Sequence, residues 1–302
     1  MSHNHSHSHH HAPNSFNTAF ALAVFFNAAF VIFQAIYALK AHSMSLLADA
    51  AHNAGDVFGL ILAWIANWLL TLPARKRYSY GFKRATMFAA LANALLLFTS
   101  SIFIIVEAVE KLRHPMFVDS QIIALVAFAG IIINGGTALL FMRGAHNDLN
   151  IKSAFLHLAS DALISLGVVI AGIIIFFTHA YWLDAVAGLL IVATILWGTF
   201  GLFADSLNLI LDAVPRHINY SEIANYLKKI SGVTAIHDLH IWGLSTREVA
   251  LTAHLVMPKQ KLSDEDFREI NATLKKVFHI DHATLQVESG NIKFPCHTQE
   301  NC

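Results

Sequence analysis

Six apolar stretches constrain this chain more than any other feature, because each exceeds the roughly 20 residues a helix needs to cross the ~30 Å hydrocarbon core of a bilayer. They cover about 16–39, 45–70, 85–110, 119–142, 153–178 and 183–211 of its 302 residues. Of the whole chain 56% is hydrophobic and 13% charged, where soluble domains carry about 25% charge. An ordinary cytosolic globule is thereby excluded, and a six-helix transmembrane bundle is expected. The opening residues, MSHNHSHSHHH, lack the basic start, apolar run and small-residue cleavage site of a signal peptide, so the first stretch is expected to stay in the mature protein. Twenty Lys+Arg balance twenty Asp+Glu, which leaves no basic field to draw the chain onto nucleic acid.

Charge divides the chain in two. Residues 1–212 hold 10 basic and 10 acidic side chains, and the last 90 residues hold another 10 and 10. Within the bundle, Arg75, Lys76, Arg77, Lys83 and Arg84 follow the second stretch, and Arg143 and Lys152 follow the fourth. The opposite side has Lys40, Lys111 and Arg113, so seven against three sets these loops, the N-terminus and the C-terminal region in the cytoplasm.

Beyond Pro215 the pattern is that of a small soluble domain. Residues 219–231 predict a helix capped by Asn219 or Ser221 and closed by Gly232. Residues 233–242 and 247–257 predict a hairpin turning at Gly243–Thr246, with Val249, Leu251, Ala253 and Leu255 alternating onto one face. Ser263, followed by Asp264, Glu265 and Asp266, opens a second helix, and 282–288 forms a last strand. The order suits an open-faced α+β sandwich. Four regions follow: a His-rich tail at 1–15 that reads as disordered, the bundle at 16–212, the α+β domain at 213–290, and a Cys/His tail at 291–302.

The chemistry lies where polarity is most costly. A charge at mid-membrane costs roughly 2.5–3.5 kcal/mol, so ionisable groups there are functional candidates. The second stretch contains Asp49, His52 and Asp56, and the fifth contains His157 and Asp161. His52 with Asp56, and His157 with Asp161, stand at i and i+4, which puts each pair on one helix face. The two pairs can meet near mid-depth and surround one point with two imidazoles and two carboxylates. Such a mixed N/O tetrahedron suits Zn²⁺, with Co²⁺ and Cd²⁺ as look-alikes; Mg²⁺ and Ca²⁺ want six or more oxygens and Cu(I) prefers sulfur. The alternative is that each pair is a helix-stabilising hydrogen bond. Three buried carboxylates at ~3 kcal/mol each are more than such bonds readily offset. Asp49 stays open between a partner behind the ligands, a proton acceptor and a structural residue.

SMSLLADAAHNAGD, the second HLASD, the YSYGFKR loop and the HDLHIW strand together resemble the cation diffusion facilitator family over nearly the whole chain. The resemblance implies a homodimer that exports Zn²⁺ from the cytoplasm in exchange for protons, through six transmembrane helices followed by a cytoplasmic ferredoxin-like domain. It implies that His52, Asp56, His157 and Asp161 form the transport site. His at the first position of the second-helix pair is similar to the zinc-preferring branch. Zn²⁺ is then the transported substrate, and no catalytic cofactor is expected; the partners are a second copy, divalent cations, protons and the lipid bilayer. The cytoplasmic membrane of a bacterium is the expected location.

The resemblance also implies weaker sites. His254 and Glu288, with His237 and His282 at or next to them, are candidates for a cytoplasmic metal site, although Gln286 stands where some relatives place a ligand His. The resemblance implies that Arg84 pairs with Asp212, the alternative being that both are solvated or bound to lipid headgroups. The loop TLPARKRYSYGFKR has no acidic or His side chain, so no metal site is expected in it. Cys296, His297 and Cys302 could close a zinc site or belong to a disordered tail, and His240 is expected to belong to the domain's packing. His3, His5, His7, His9, His10 and His11 read as a metal collector or as an added tag, His146 is solitary, and Asn134–Gly136 is read as a point of close packing or bending. Two other classes compete. A membrane metalloenzyme would need an open metal position and shows no H-E-x-x-H, whereas a membrane-bound divalent-metal sensor would bind without transport.

Overall fold

The computed structural model describes residues 18–142, 149–259 and 262–290, with side chains described throughout these except at 18–24, 26, 140–141 and 149–154. Six helices come first: α1 (Thr18–Lys40), α2 (Met44–Leu70), α3 (Ala85–Arg113), α4 (Ser120–Met142), α5 (Leu149–Thr178) and α6 (Trp182–Ile210). Five of them, α2 to α6, are long and apolar enough among the described residues to cross a membrane. Their outer faces carry exposed Phe103, Leu125, Leu163, Phe177 and Trp197. In water such a surface would be a large aggregation liability; against acyl chains it is the ordinary condition.

The chain forms two compact units, whose borders fall inside α2, α3 and α6. One comprises the described residues up to Phe58 together with Leu97–Leu196; the other comprises Gly59–Leu96 and the described residues from Trp197 onward. In the first, Ala38, Leu46, Ala48, Ile104, Ile123, Ala127, Val168, Ile175 and Val192 make the core. Small residues let helices approach, as at Gly188, where a Cβ would stand 3.0 Å from the carbonyl oxygen of Met44, and at Gly172, where it would stand 3.2 Å from the backbone nitrogen of Ala124. Asp184, near the start of α6, is buried and accepts from Ser43 Oγ at 2.6 Å, Met44 N at 2.5 Å and Ser45 Oγ at 2.5 Å. A carboxylate borrowed from another helix thus takes the first two amides of α2, Met44 N and Ser45 N, while Ser43 Oγ takes that of Leu46, at an end where the helix dipole favours negative charge.

In the second unit the described elements after α6 are α7 (Tyr220–Lys228), β1 (Ala235–Gly243), β2 (Val249–Val256), α8 (Asp264–Phe278) and β3 (His282–Glu288). The sheet order is β1-β2-β3, with β1 antiparallel and β3 parallel to β2. The parallel pairing needs a crossover connection, which α8 supplies. Ile223, Leu227, Leu239, Ile241, Leu251, Leu255, Ile270 and Leu274 fill the core, each fully buried aliphatic contributing about 1.5–3 kcal/mol. Asn219 caps α7 and Ser263 caps α8.

Three local boundaries differ from the sequence expectation. α7 stops at Lys228 because Lys229, Ile230 and Val233 turn back to the carbonyls of Tyr226, Leu227 and Ile230. The hairpin turn is longer than Gly243–Thr246, because Leu244 N bonds to Glu248 O and the Ser245 hydroxyl takes the amides of Arg247 and Glu248. In β1 the register shifts between His237 and His240, with Asp238 at a φ of 53°. That is a bulge, and it re-aims the side chains around it.

Candidate metal sites

The first cluster is built by α2 and α5. Their i,i+4 pairs do not close mainly on themselves; they cross. His52 Nε2 lies 3.2 Å from Asp161 Oδ1, and His157 Nε2 lies 3.3 Å from Asp56 Oδ2 and 3.6 Å from Asp161 Oδ2. His52, Asp56 and Asp161 each offer a ligand atom within 4.8 Å of the other two. His157, with a side chain 48% exposed, stands at the open edge, its ring centroid 6.1 Å from that of His52. Asp161 is buried at the centre. Imidazole nitrogens and carboxylate oxygens from two apolar helices therefore converge, the donor set a borderline divalent cation takes.

Asp49 is fully buried and hydrogen-bonds to residues outside this cluster. Its Oδ2 accepts from Gln34 Nε2 at 2.6 Å and from Ser165 Oγ at 3.1 Å, and Gln34 Oε1 accepts from Asn53 Nδ2 at 3.1 Å. Gln34, Asn53, Ser165 and Asp184 were not singled out in the sequence. A signal was there, since each is a polar side chain inside or at the start of an apolar stretch.

The second cluster is in the sheet. His237 and His254 face one another across β1 and β2, and Glu288 lies opposite Val256 at the end of β3. His237 Nε2 is 3.0 Å from Glu288 Oε2, and His254 Nδ1 is 2.8 Å from Glu288 Oε1. Glu288 is buried and also accepts from Gln286 Nε2 at 3.1 Å. Although so close to a carboxylate oxygen, the buried Nδ1 of His254 makes no hydrogen bond. A buried imidazole nitrogen left unpartnered beside a carboxylate oxygen suits a cation, and the N₂O donor set fits zinc.

Two expectations need correction here. His282 does not join the cluster: it stands opposite Ala250 while Glu288 stands opposite Val256, so six residues of strand, ~20 Å, part them. Its Nε2 lies instead 3.3 Å from Lys83 Nζ and 3.7 Å from Glu248 Oε2, and Lys83 itself pairs with Glu248. His240 is not packed inside either. It is exposed, and its Nε2 is 3.0 Å from Asp238 Oδ1, the other carboxylate oxygen lying 3.6 Å from His254 Nε2. The hydrogen bond from His240 holds the Asp238 carboxyl below the usual carboxylate range, partial burial opposing it. Asp238 escaped notice in the sequence because only the bulge brings it to His254.

Arg84 Nη2 donates to Asp212 Oδ1 at 2.6 Å, the pairing implied by the resemblance. The N-terminal histidines, His146, and Cys296, His297 and Cys302 lie outside the described residues.

Two family models match the chain. The cation efflux transmembrane domain covers residues 20–211, and the cytoplasmic domain of cation efflux proteins covers 215–290. The chain belongs to the cation efflux family. As a member of this family of metal cation transporters, with five apolar helices of spanning length among its described residues, it is a multi-pass membrane protein. Similar proteins include the cation efflux system protein CzcD of Alcaligenes sp. (strain CT14), 34% identical over 288 residues that cover 95% of this chain and 89% of the relative. The zinc transporter ZitB of Escherichia coli (strain K12) is 30% identical over 300 residues, covering 98% and 94%. The cadmium, cobalt and zinc/H(+)-K(+) antiporter of Bacillus subtilis (strain 168) is 31% identical over 264 residues, covering 86% and 85%.

Proposed function

We propose that this cation efflux protein is a secondary active transporter that exports Zn²⁺, with Co²⁺ and Cd²⁺ as competing cargo, from the cytoplasm in exchange for protons. The observation that carries the reading is the crossing of the two His-x-x-x-Asp pairs, His52 with Asp161 at 3.2 Å and His157 with Asp56 at 3.3 Å. Zinc takes imidazoles in their neutral form and carboxylates in their ionised form, so protons and metal compete for the same atoms. Metal arriving from the cytoplasm displaces protons, and protons from the far side help release the metal as access alternates. The names of the ZitB and Bacillus relatives, a zinc transporter and an antiporter of zinc, cadmium and cobalt, support cargo and coupling alike.

In this reading α1 is a sixth span and both termini are cytoplasmic. The sheet domain is ferredoxin-like and pairs two copies into a homodimer. The domain boundaries are those of the sequence, and a bacterial cytoplasmic membrane is the setting. His237, His254 and Glu288 hold a resident zinc, which would supply a fixed positive charge tying three strands together. The unpartnered Nδ1 of His254 beside Glu288 supports it.

The test is zinc flux into proteoliposomes with a zinc dye inside and an imposed pH gradient, wild type against Asp161→Ala. Gradient-dependent flux lost in the variant is expected. Zinc binding without flux, whatever the gradient, would favour the sensor, for which the three-ligand cluster in the sheet domain is the observation.

A further inference from the structure

Alongside the paired His–Asp cluster runs a second set of contacts between the same helices, and it includes a helix that carries no metal ligand. Gln34 on α1 sits across Asp49 and Asn53 of α2. Its amide nitrogen donates to Asp49 Oδ2 at 2.6 Å, and its oxygen accepts from the Asn53 amide at 3.1 Å. Gln34, Asp49 and Ser165 are fully buried and Asn53 nearly so.

Asp49 and Asn53 are i and i+4 on α2, so a single side chain held to both fixes the helix in rotation as well as in distance. Asn53 directly follows His52, and successive residues are set about 100° apart. Fixing one therefore fixes the direction of the other. On α5, Ser165 is four residues beyond Asp161 and shares its face. Two rungs thus join α2 to α5: His52 to Asp161 at 3.2 Å, which metal would use, and Ser165 to Asp49 at 3.1 Å, which it would not. α4 accommodates the second rung through Gly130, where a Cβ would stand 3.0 Å from Ser165 Oγ and 3.3 Å from Phe30.

We propose that this Gln34–Asn53–Asp49–Ser165 network sets the metal preference of the transport site, with Gln34 as the positioning residue. The proposal rests on the reading of His52, Asp56, His157 and Asp161 as that site. Three buried hydrogen bonds tie α1, α2 and α5 together, with Asp49 Oδ1 left unpartnered among the described residues, and Zn²⁺ wants its nitrogen and oxygen ligands at ~2.0–2.2 Å. Cd²⁺ is larger and needs the two helices further apart. A rung that metal does not touch holds α2 and α5 at the zinc separation and so opposes the larger ion. Without it the site relaxes toward whichever cation enters.

The experiment measures zinc and cadmium uptake separately in proteoliposomes for wild type, Gln34→Leu, Ser165→Ala and Asp161→Ala, each verified as folded by its elution and melting. In Gln34→Leu the KM for zinc rises about 10-fold, the usual scale for losing a partner behind a metal ligand. The KM for cadmium rises much less, so the preference narrows, while maximal rates fall less than the zinc KM climbs. Ser165→Ala moves the same way by a smaller factor. Equal changes for both metals, or a loss of maximal rate alone, overturn the proposal. If Gln34→Leu does not fold, an unchanged zinc-to-cadmium ratio in Ser165→Ala does so. Asp161→Ala separates the two readings. If it still carries metal, the transport-site assignment fails, whereas its silence with an unshifted ratio in the other variants fails the network alone.

Discussion

The cluster on α2 and α5 draws His52, Asp56, His157 and Asp161 from two helices, whereas the sheet-domain cluster draws His237, His254 and Glu288 from three neighbouring strands. Packed helices can rotate or slide past each other as units. Strands in a ladder cannot separate without breaking several backbone hydrogen bonds at once. Imidazoles and carboxylates therefore make, in the proposed reading, a site suited to opening and closing in one place and a site suited to retention in the other. The central carboxylates are equally buried, Asp161 at 4% and Glu288 at 5%, and the difference lies at the rim, where the His157 side chain is 48% exposed against 16% and 23% for His237 and His254.

The largest effect that could break this comparison comes from removing the central carboxylate of each cluster. Asp161→Ala is expected to abolish zinc flux, because both histidines lose a partner at once. Glu288→Ala is expected to keep pH-driven flux while one equivalent of tightly held zinc is lost per chain, measured by metal analysis after dialysis against a weak chelator. If Glu288→Ala were as inactive as Asp161→Ala, retention would not be the difference between the clusters.

How much of this was legible in the sequence depends on how local its cause is. The helices of the bundle were, because an apolar run of spanning length admits few structures, and so was the repeated H-x-x-x-D, because i,i+4 spacing fixes a shared face. The crossing of the pairs was not, since nothing in either helix says that His52 answers Asp161 more closely than Asp56. Gln34, Ser165 and Asp184 were visible as polar residues in apolar runs, yet their partners lie 15, 116 and up to 141 residues away. His282 misled because it shares a strand with Glu288, and only the register reveals that they occupy opposite ends. Asp238 depended on a bulge that no residue pattern announced.

An intermediate effect sharpens the comparison from the side of the charged pairs in the second unit. Reversing Arg84 or Asp212 alone is expected to reduce flux, and Arg84→Asp with Asp212→Arg to recover a good part of it, since the 2.6 Å contact needs opposite charges and not a particular order. Both side chains are about half exposed, so the direct contribution to stability is within the 0–1 kcal/mol of a surface pair, and any larger loss of flux reports on conformation. Failure of the double variant, with each single variant inactive, would count against pairing. Zinc bound by the sheet cluster is expected to be unchanged in all three.

The smallest effect tests whether the frame of the sheet cluster stands independently of transport. Asp266 accepts from the backbone and hydroxyl of Ser263, while the Ser263 hydroxyl accepts from the amide of Asp266, closing the first turn of α8. Those bonds, the backbone one foremost, hold the Asp266 carboxyl below its ordinary range. A carboxylate depressed on folding stabilises the folded state above its unfolded value, near 4, and the benefit is lost as pH falls through the lower folded value. Asp266→Ala is therefore expected to speed amide exchange over 264–278 at neutral pH, and the difference from wild type to shrink as pH falls below the ordinary carboxylate range. Ser263→Ala removes the cap itself, at about 0.5–2 kcal/mol, and should accelerate the same amides more. Neither substitution is expected to move the zinc KM of transport. A shift in that KM would mean that the stability of α8 reaches the intramembrane ligands, and the retaining and passing sites could no longer be treated as separate devices.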